Sequence, residues 1–157
     1  MEKEKNDIKD RGLVITKTLH APVELVWETW TNPAHIAKWW GPDGFTNTIQ
    51  KMELKPGGIW ELVMHGPDGT DYKNKSIFRE IIPLKKIVYE HVSRPKFTAT
   101  VEFTDMGEQT LINWQMLFET AEEFIQTVKT FKADQGLKQN VAKLNSYVTE
   151  LRRKKTD

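Results

Sequence analysis

The side chains best suited to move a proton are His65 and His91, with Glu61, Glu90 and Glu102 nearby on neighbouring predicted strands. Histidine titrates near neutral pH, so in a cavity it can relay a proton or fix a polar group of a ligand. His91 follows Ile87 and Tyr89 in strand alternation, which predicts an inward-facing ring. A buried, hydrogen-bonded histidine without a catalytic role fits the same position, so His91 is the one candidate catalytic residue and the leading expectation is a protein that binds rather than catalyses. No two of His20, His35, His65 and His91 stand at helical i, i+4 spacing and no loop has a calcium pattern, so no metal site is expected. Pro56-Gly57-Gly58 and Pro67-Asp68-Gly69 lie between strands rather than ahead of a helix, which excludes a phosphate cradle. With no cysteine there is no disulfide, thiolate nucleophile or Cys-based metal or iron–sulfur centre, and no cofactor is predicted.

A second set of residues could line a ligand pocket. Trp39, Trp40, Phe45, Trp60, Met64, Phe78, Tyr89, His91, Phe97, Trp114 and Met116 give an apolar, aromatic-rich wall with one polar group, and Gly136, Leu137 and Val141 of a C-terminal helix would close it. The same aromatics also suit a solid core, since they bury the most area per residue. The Trp39-Trp40-Gly41-Pro42 corner could be a partner-docking surface or a cavity mouth, or both indoles could fold inward.

These residues need elements to position them. Leu13 to His20 reads as a strand, and Pro22 then opens a helix carrying Val23, Val26, Trp27 and Trp30. Asn32-Pro33 caps a second short helix with Ile36, Trp39 and Trp40, which Gly41-Pro42 ends. From Phe45 to Phe118 the pattern changes to six strands separated by Pro- and Gly-containing turns, an antiparallel meander. Alternation puts Trp60, Leu62 and Met64 on one face, as it does Phe97, Ala99, Val101 and Phe103, and Ile112, Trp114, Met116 and Phe118. Only Tyr72 to Ile82 has no clean phase.

Thr120-Ala-Glu-Glu123 is a capping box that opens one long amphipathic helix to Leu151, with a kink or close approach to the sheet expected at Asp134 to Gly136. A sheet with one apolar face needs a cover, and this helix is the only long element available. The fold class is therefore α+β, a curved antiparallel sheet wrapped around a long C-terminal helix, with two short helices between strands 1 and 2. One domain spans 12–151, between a charged tail at 1–11 and a basic tail at 152–157.

The 157 residues carry 23 basic and 22 acidic side chains, so no net field selects nucleic acid or an anionic membrane. No apolar run spans a bilayer and no apolar h-region follows the N-terminus, so a cytoplasmic protein is expected. A monomer or a homodimer paired through a sheet edge both fit.

The ordered motifs His20-Ala-Pro-Val-Glu-Leu-Val-Trp27, Trp39-Trp40-Gly41-Pro42, Pro56-Gly57-Gly58-Ile-Trp60, Gly66-Pro-Asp-Gly69 and Ile87-Val-Tyr-Glu-His91 resemble bacterial homologues of the activator of the heat-shock-protein-90 ATPase. That family belongs to the START-like, birch-pollen-allergen-like superfamily. The resemblance implies the helix-grip fold and a cavity that relatives use for lipids, hormones, polyketides or other apolar molecules, and it implies no shared catalytic set. Eukaryotic activators add an N-terminal domain that contacts the chaperone, for which 157 residues leave no room, so a small apolar ligand is the first expected partner and a chaperone the second. A cyclase or hydrolase acting on an apolar substrate is a third reading. Many relatives carry Gly-Trp where this chain has Gly136-Leu137, which implies a larger cavity here.

Overall fold

The structure, a computed structural model, describes residues 11–156. Most of the expected N-terminal tail, 1–10, and residue 157 lie outside the described residues. The chain order is β1 (Gly12–Leu19), α1 (Val23–Thr31), α2 (Pro33–Trp39), β2 (Thr46–Met52), β3 (Ile59–His65), β4 (Asp71–Ile82), β5 (Lys86–His91), β6 (Phe97–Asp105), β7 (Thr110–Phe118), α3 (Ala121–Phe131) and α4 (Ala133–Thr156). The strands form one antiparallel sheet in the order β1-β7-β6-β5-β4-β3-β2.

The helix starts follow their local chemistry. Asn32 accepts from the Ala34 amide at 3.0 Å with Pro33 in the first turn of α2, and Thr120 Oγ1 accepts from the Glu123 amide at 3.0 Å. The predicted inward faces hold on β3, β6 and β7, where Trp60, Leu62, Ala99, Val101, Phe103, Ile112, Trp114 and Phe118 are buried. Strand β4 has no clean phase because its register slips between Phe78 and Glu80: Ser76 and Phe78 face inward before this bulge, and Ile81 joins the core after it.

The single long helix expected from Thr120 to Leu151 is instead two. Lys132 adopts the left-handed conformation (φ 51°, ψ 47°), and its amide donates to the Val128 carbonyl at 2.8 Å to close α3. Helix α4 starts at the next residue and runs unbroken through Gly136, whose amide donates to Lys132 O at 3.0 Å. Gly136 marks a close approach, though to Pro42 rather than the sheet: a Cβ there would lie 3.3 Å from Pro42 Cγ. The basic run Arg152 to Lys155 continues α4, with Arg152 paired to Glu108 at 3.2 Å and Lys155 to Glu28 at 3.3 Å.

Helix α4 packs against β1, α1 and α2, and its buried Leu137, Val141, Leu144 and Val148 join the apolar face of the sheet in one core. Trp30 is the hub of that core. Its ring meets those of Trp39, Trp114, Trp40 and Phe103 edge-on, at centroid distances of 4.9, 4.8, 5.8 and 5.9 Å.

Candidate functional site

Toward the start of α4 the core is not filled. A cavity of about 200 Å³ lies between the sheet, the α2–β2 loop and the first turns of α4. Trp40, Gly41 and Pro42 line it from the loop, Trp60, Leu62 and Met64 from β3, and Asn74 and Ser76 from β4. Tyr89 and His91 of β5, Pro95, Phe97, Trp114 and Met116 complete the sheet side, and Ala133, Gly136, Leu137 and Asn140 form the helical wall. Gly41 is required by its backbone, at φ 95°, and by space, because a Cβ there would sit 2.9 Å from Met64 Cε.

Of the residues singled out from sequence, Trp40, Trp60, Met64, Tyr89, His91, Phe97, Trp114, Met116, Gly136 and Leu137 thus come together around one space. Trp39, Phe45, Phe78 and Val141 do not line it. Both tryptophans of the Trp39-Trp40 corner pack inward, and Trp39 Nε1 donates to Thr29 O at 3.0 Å, which ties its indole to α1. Phe78 is stacked on Trp60 at 5.5 Å, Phe45 packs on Tyr72 at 5.9 Å, and Val141 belongs to the core cluster with Leu144. Sequence reasoning missed Asn74 and Ser76 because the β4 bulge hides their phase. Asn140 had a signal that went unused: it is a polar residue three positions after Leu137, on the apolar stripe.

The histidine at this site is held at both ring nitrogens. His91 Nδ1 lies 2.6 Å from the Pro95 carbonyl, an acceptor only, so Nδ1 carries a proton. Nε2 lies 2.7 Å from the Asn74 amide and 3.3 Å from the Ser93 hydroxyl, which can donate to it. A neutral ring pairs with the nitrogen end of the Asn74 amide and an imidazolium with the oxygen end, a choice made by rotating the amide. Burial lowers the His91 pKa below the usual histidine value, and the bonds to Pro95 and Ser93 oppose this only in part. With both nitrogens engaged, the ring has none free to take a proton from a ligand. Burial also pushes the Tyr89 hydroxyl above the ordinary phenol value, and the Trp114 indole beside it offsets little of that.

The lowered value makes stability depend on acidity. The fold favours the neutral ring, whereas the unfolded chain protonates His91 near pH 6.5, at about the ordinary value. Its contribution is therefore complete above about pH 7 and is lost as pH falls from there through the lowered folded value. Between about pH 7.5 and 5.5, the urea midpoint is expected to drop less in His91→Gln than in the native protein. Equal drops would show that the ring binds its proton equally well in the folded and unfolded chain, so that burial does not lower its pKa.

The other acid–base candidates stand apart from the cavity. Glu61, Glu90 and Glu102 do not line it, and Glu90 is paired with Arg79 at 2.7 Å. His65 joins a hydroxyl and a carboxylate, with Thr48 Oγ1 2.8 Å from Nε2 and Asp71 Oδ1 2.7 Å from Nδ1. The order matches a nucleophile–base–orienter chain, yet none of the three lines the cavity, and Thr48 and Asp71 are exposed. Among the described residues no group of three or more His, Asp or Glu side chains is placed to hold a metal.

A match to the family "Activator of Hsp90 ATPase homolog 1-like protein" spans residues 20–149, most of the chain and every strand but β1. The chain belongs to this family. Solved structures similar to this family member share its fold: a protein from Nitrosomonas europaea (22% identity, TM-score 0.82, covering 92% of this chain and 97% of that one) and one from Arthrobacter aurescens (22%, 0.83, 92% and 89%). A protein from Aeromonas hydrophila described as AHSA1-like aligns at 17% identity and a TM-score of 0.69, over 88% of this chain and 94% of that one. No curated protein matches the chain. As in the helix-grip members of the family, a curved antiparallel sheet packs on a long C-terminal helix, and no described helix is long and apolar enough to cross a membrane.

Proposed function

We propose that this protein binds a small apolar or aromatic molecule in the cavity between the sheet and α4. The observation that carries this reading is the cavity itself: about 200 Å³ left open in an otherwise packed core, walled by aromatic and aliphatic side chains with a few polar groups among them. Native interiors contain few voids larger than a water molecule, so space of this size at the end of a well-packed helix calls for an occupant. The family's fold supports the same reading. A chaperone-docking role has less support, because the exposed large apolar residues Val14, Leu54, Tyr72, Ile82, Leu84, Met106 and Ile125 come from several separate elements. Enzymatic use of His91 is disfavoured by the bonds at both of its ring nitrogens.

The tryptophans report on the site directly. Trp40, Trp60 and Trp114 line the cavity, whereas Trp27 packs edge-on against Phe103 and does not line it. In an NMR titration with a neutral single-ring aromatic, the indole N–H signals of Trp40, Trp60 and Trp114 are expected to move while that of Trp27 stays in place. Saturation with all of these signals unmoved, or with only Trp27 moving, would refute binding in this cavity.

A further inference from the structure

The sheet side of the cavity holds two hydroxyl groups that the protein leaves unused. Apart from the indoles, four polar side chains line it there: Asn74, Ser76, Tyr89 and His91. Asn74 and His91 bond each other at 2.7 Å and are further held by the Tyr72 and Pro95 carbonyls, at 3.0 and 2.6 Å. Ser76 and Tyr89 differ. They are 4% and 2% exposed, yet among the described residues neither hydroxyl proton has an acceptor. Neither oxygen is sealed from a water-sized molecule, and with both residues buried in the core, the open space they meet is the cavity they line.

The Tyr89 oxygen already accepts from the Trp114 indole N–H, so what the phenol has left to offer is its proton. Burial raises its pKa and keeps that proton in place near neutral pH. Ser76 stands opposite His91 and Phe78 opposite Tyr89, which makes Ser76 and Tyr89 diagonal neighbours on the inner face of β4 and β5. Diagonal neighbours are within reach of an aromatic side chain, so one acceptor atom can meet both hydroxyls.

Charge and size narrow the choice. No Asp, Glu, Lys or Arg among the described residues lines the cavity, so an ionised group would be buried there without a counter-charge, at far greater cost than a neutral polar one. An apolar cavity of about 150 Å³ accommodates benzene, so about 200 Å³ suits one ring with a small substituent.

The geometry points to a neutral, single-ring ligand that carries a carbonyl oxygen, which accepts hydrogen bonds from the Tyr89 phenol and the Ser76 hydroxyl. This inference rests on the ligand-binding reading above and specifies its chemistry. A hydrocarbon of the same shape covers both hydroxyls and gives them no partner, and a carboxylate brings a charge that nothing in the wall offsets.

The test follows three probes of one shape by calorimetry: acetophenone; α-methylstyrene, in which a methylene replaces the carbonyl oxygen; and benzoate, which adds a charge. In Tyr89→Phe and in Ser76→Ala the Kd of acetophenone is expected to rise about tenfold, the scale of one lost hydrogen bond, while that of α-methylstyrene stays the same or falls. Benzoate should bind the native protein at least about tenfold more weakly than acetophenone does. Isotope-edited infrared spectra read the contact itself. The carbonyl band of bound acetophenone is expected at lower frequency than in an alkane solvent, and should move back up in each variant. Tyr89→Phe also takes the acceptor from the Trp114 N–H and loses stability. Ser76→Ala removes a buried unpartnered hydroxyl, so it is expected to fold at least as stably as the native chain and carries the test alone if the first variant does not fold.

Parallel changes of acetophenone and α-methylstyrene in the variants, or a carbonyl band that neither variant moves, overturn the carbonyl inference and leave an apolar-ligand protein standing. An effect confined to one variant overturns the role of the other residue. Benzoate binding as tightly as acetophenone overturns neutrality. If none of the probes shifts the indole N–H signals of Trp40, Trp60 and Trp114, the ligand-binding reading fails and this inference falls with it.

Discussion

Trp30→Ala is expected to lower folding stability by about 4 kcal/mol, the middle of the range for truncating a buried aromatic side chain. The side chain is 2% exposed and joins elements that are distant in sequence: α1, to which it belongs, the Trp39-Trp40 corner, Phe103 on β6 and Trp114 on β7. Edge-on aromatic pairs add about 0.5–1.5 kcal/mol each beyond the area they bury, and Trp30 makes several. Its loss opens a hole between α1, α2 and the sheet that rigid neighbouring rings cannot collapse to fill. Against a total stability of about 5–15 kcal/mol, a loss of this size removes from about a quarter to most of it. Chemical denaturation of Trp30→Ala and Trp30→Phe checks it, with the phenylalanine variant expected to lose less than half as much. A cost below about 1.5 kcal/mol for alanine would mean that the cluster repacks.

Leu137→Trp is expected to keep the fold and abolish binding. Leu137 is buried on the cavity wall one position after Gly136, and an indole there projects into space the protein leaves open. Overpacking a filled core costs about 1–3 kcal/mol, but here the added bulk has room, so stability should change by less than about 1 kcal/mol. The ligand loses that room outright, and a loss of about 3 kcal/mol in binding corresponds to roughly a hundredfold in Kd. Calorimetry with a neutral single-ring aromatic, alongside a thermal melt of the empty variant, separates the two effects. Undiminished affinity in a folded variant would place the ligand somewhere other than this cavity.

The architecture was readable from sequence wherever side-chain period and terminal chemistry agreed. Strands β3, β6 and β7 alternate without interruption, and Asn32 and Thr120 cap the helices their positions announce. The break at Lys132 gave no signal, because lysine rarely adopts the left-handed conformation and the nearby glycine drew attention instead. The cavity was half visible. Its aromatic wall follows from alternation, and its polar groups do not: the β4 bulge reverses the phase that would reveal Asn74 and Ser76, while Pro95 reaches His91 through a backbone carbonyl. Trp39 and Phe78 looked like lining by type and face, yet both support the wall from behind, since alternation gives a side chain's direction but not its depth.

The pairing of the first strand with the last constrains how the molecule forms. Gly12 lies opposite Leu117 and Leu19 opposite Thr110, so this ladder joins residues about a hundred positions apart, while every other ladder joins consecutive strands. During synthesis the apolar residues of β1 emerge early and wait for β7, which leaves the ribosome after the other six strands. Closing so long a loop costs entropy before any contact offsets it. The meander from β2 to β7 can assemble from neighbour to neighbour. Until β1 docks, one flank of β7 is an open edge available to another chain.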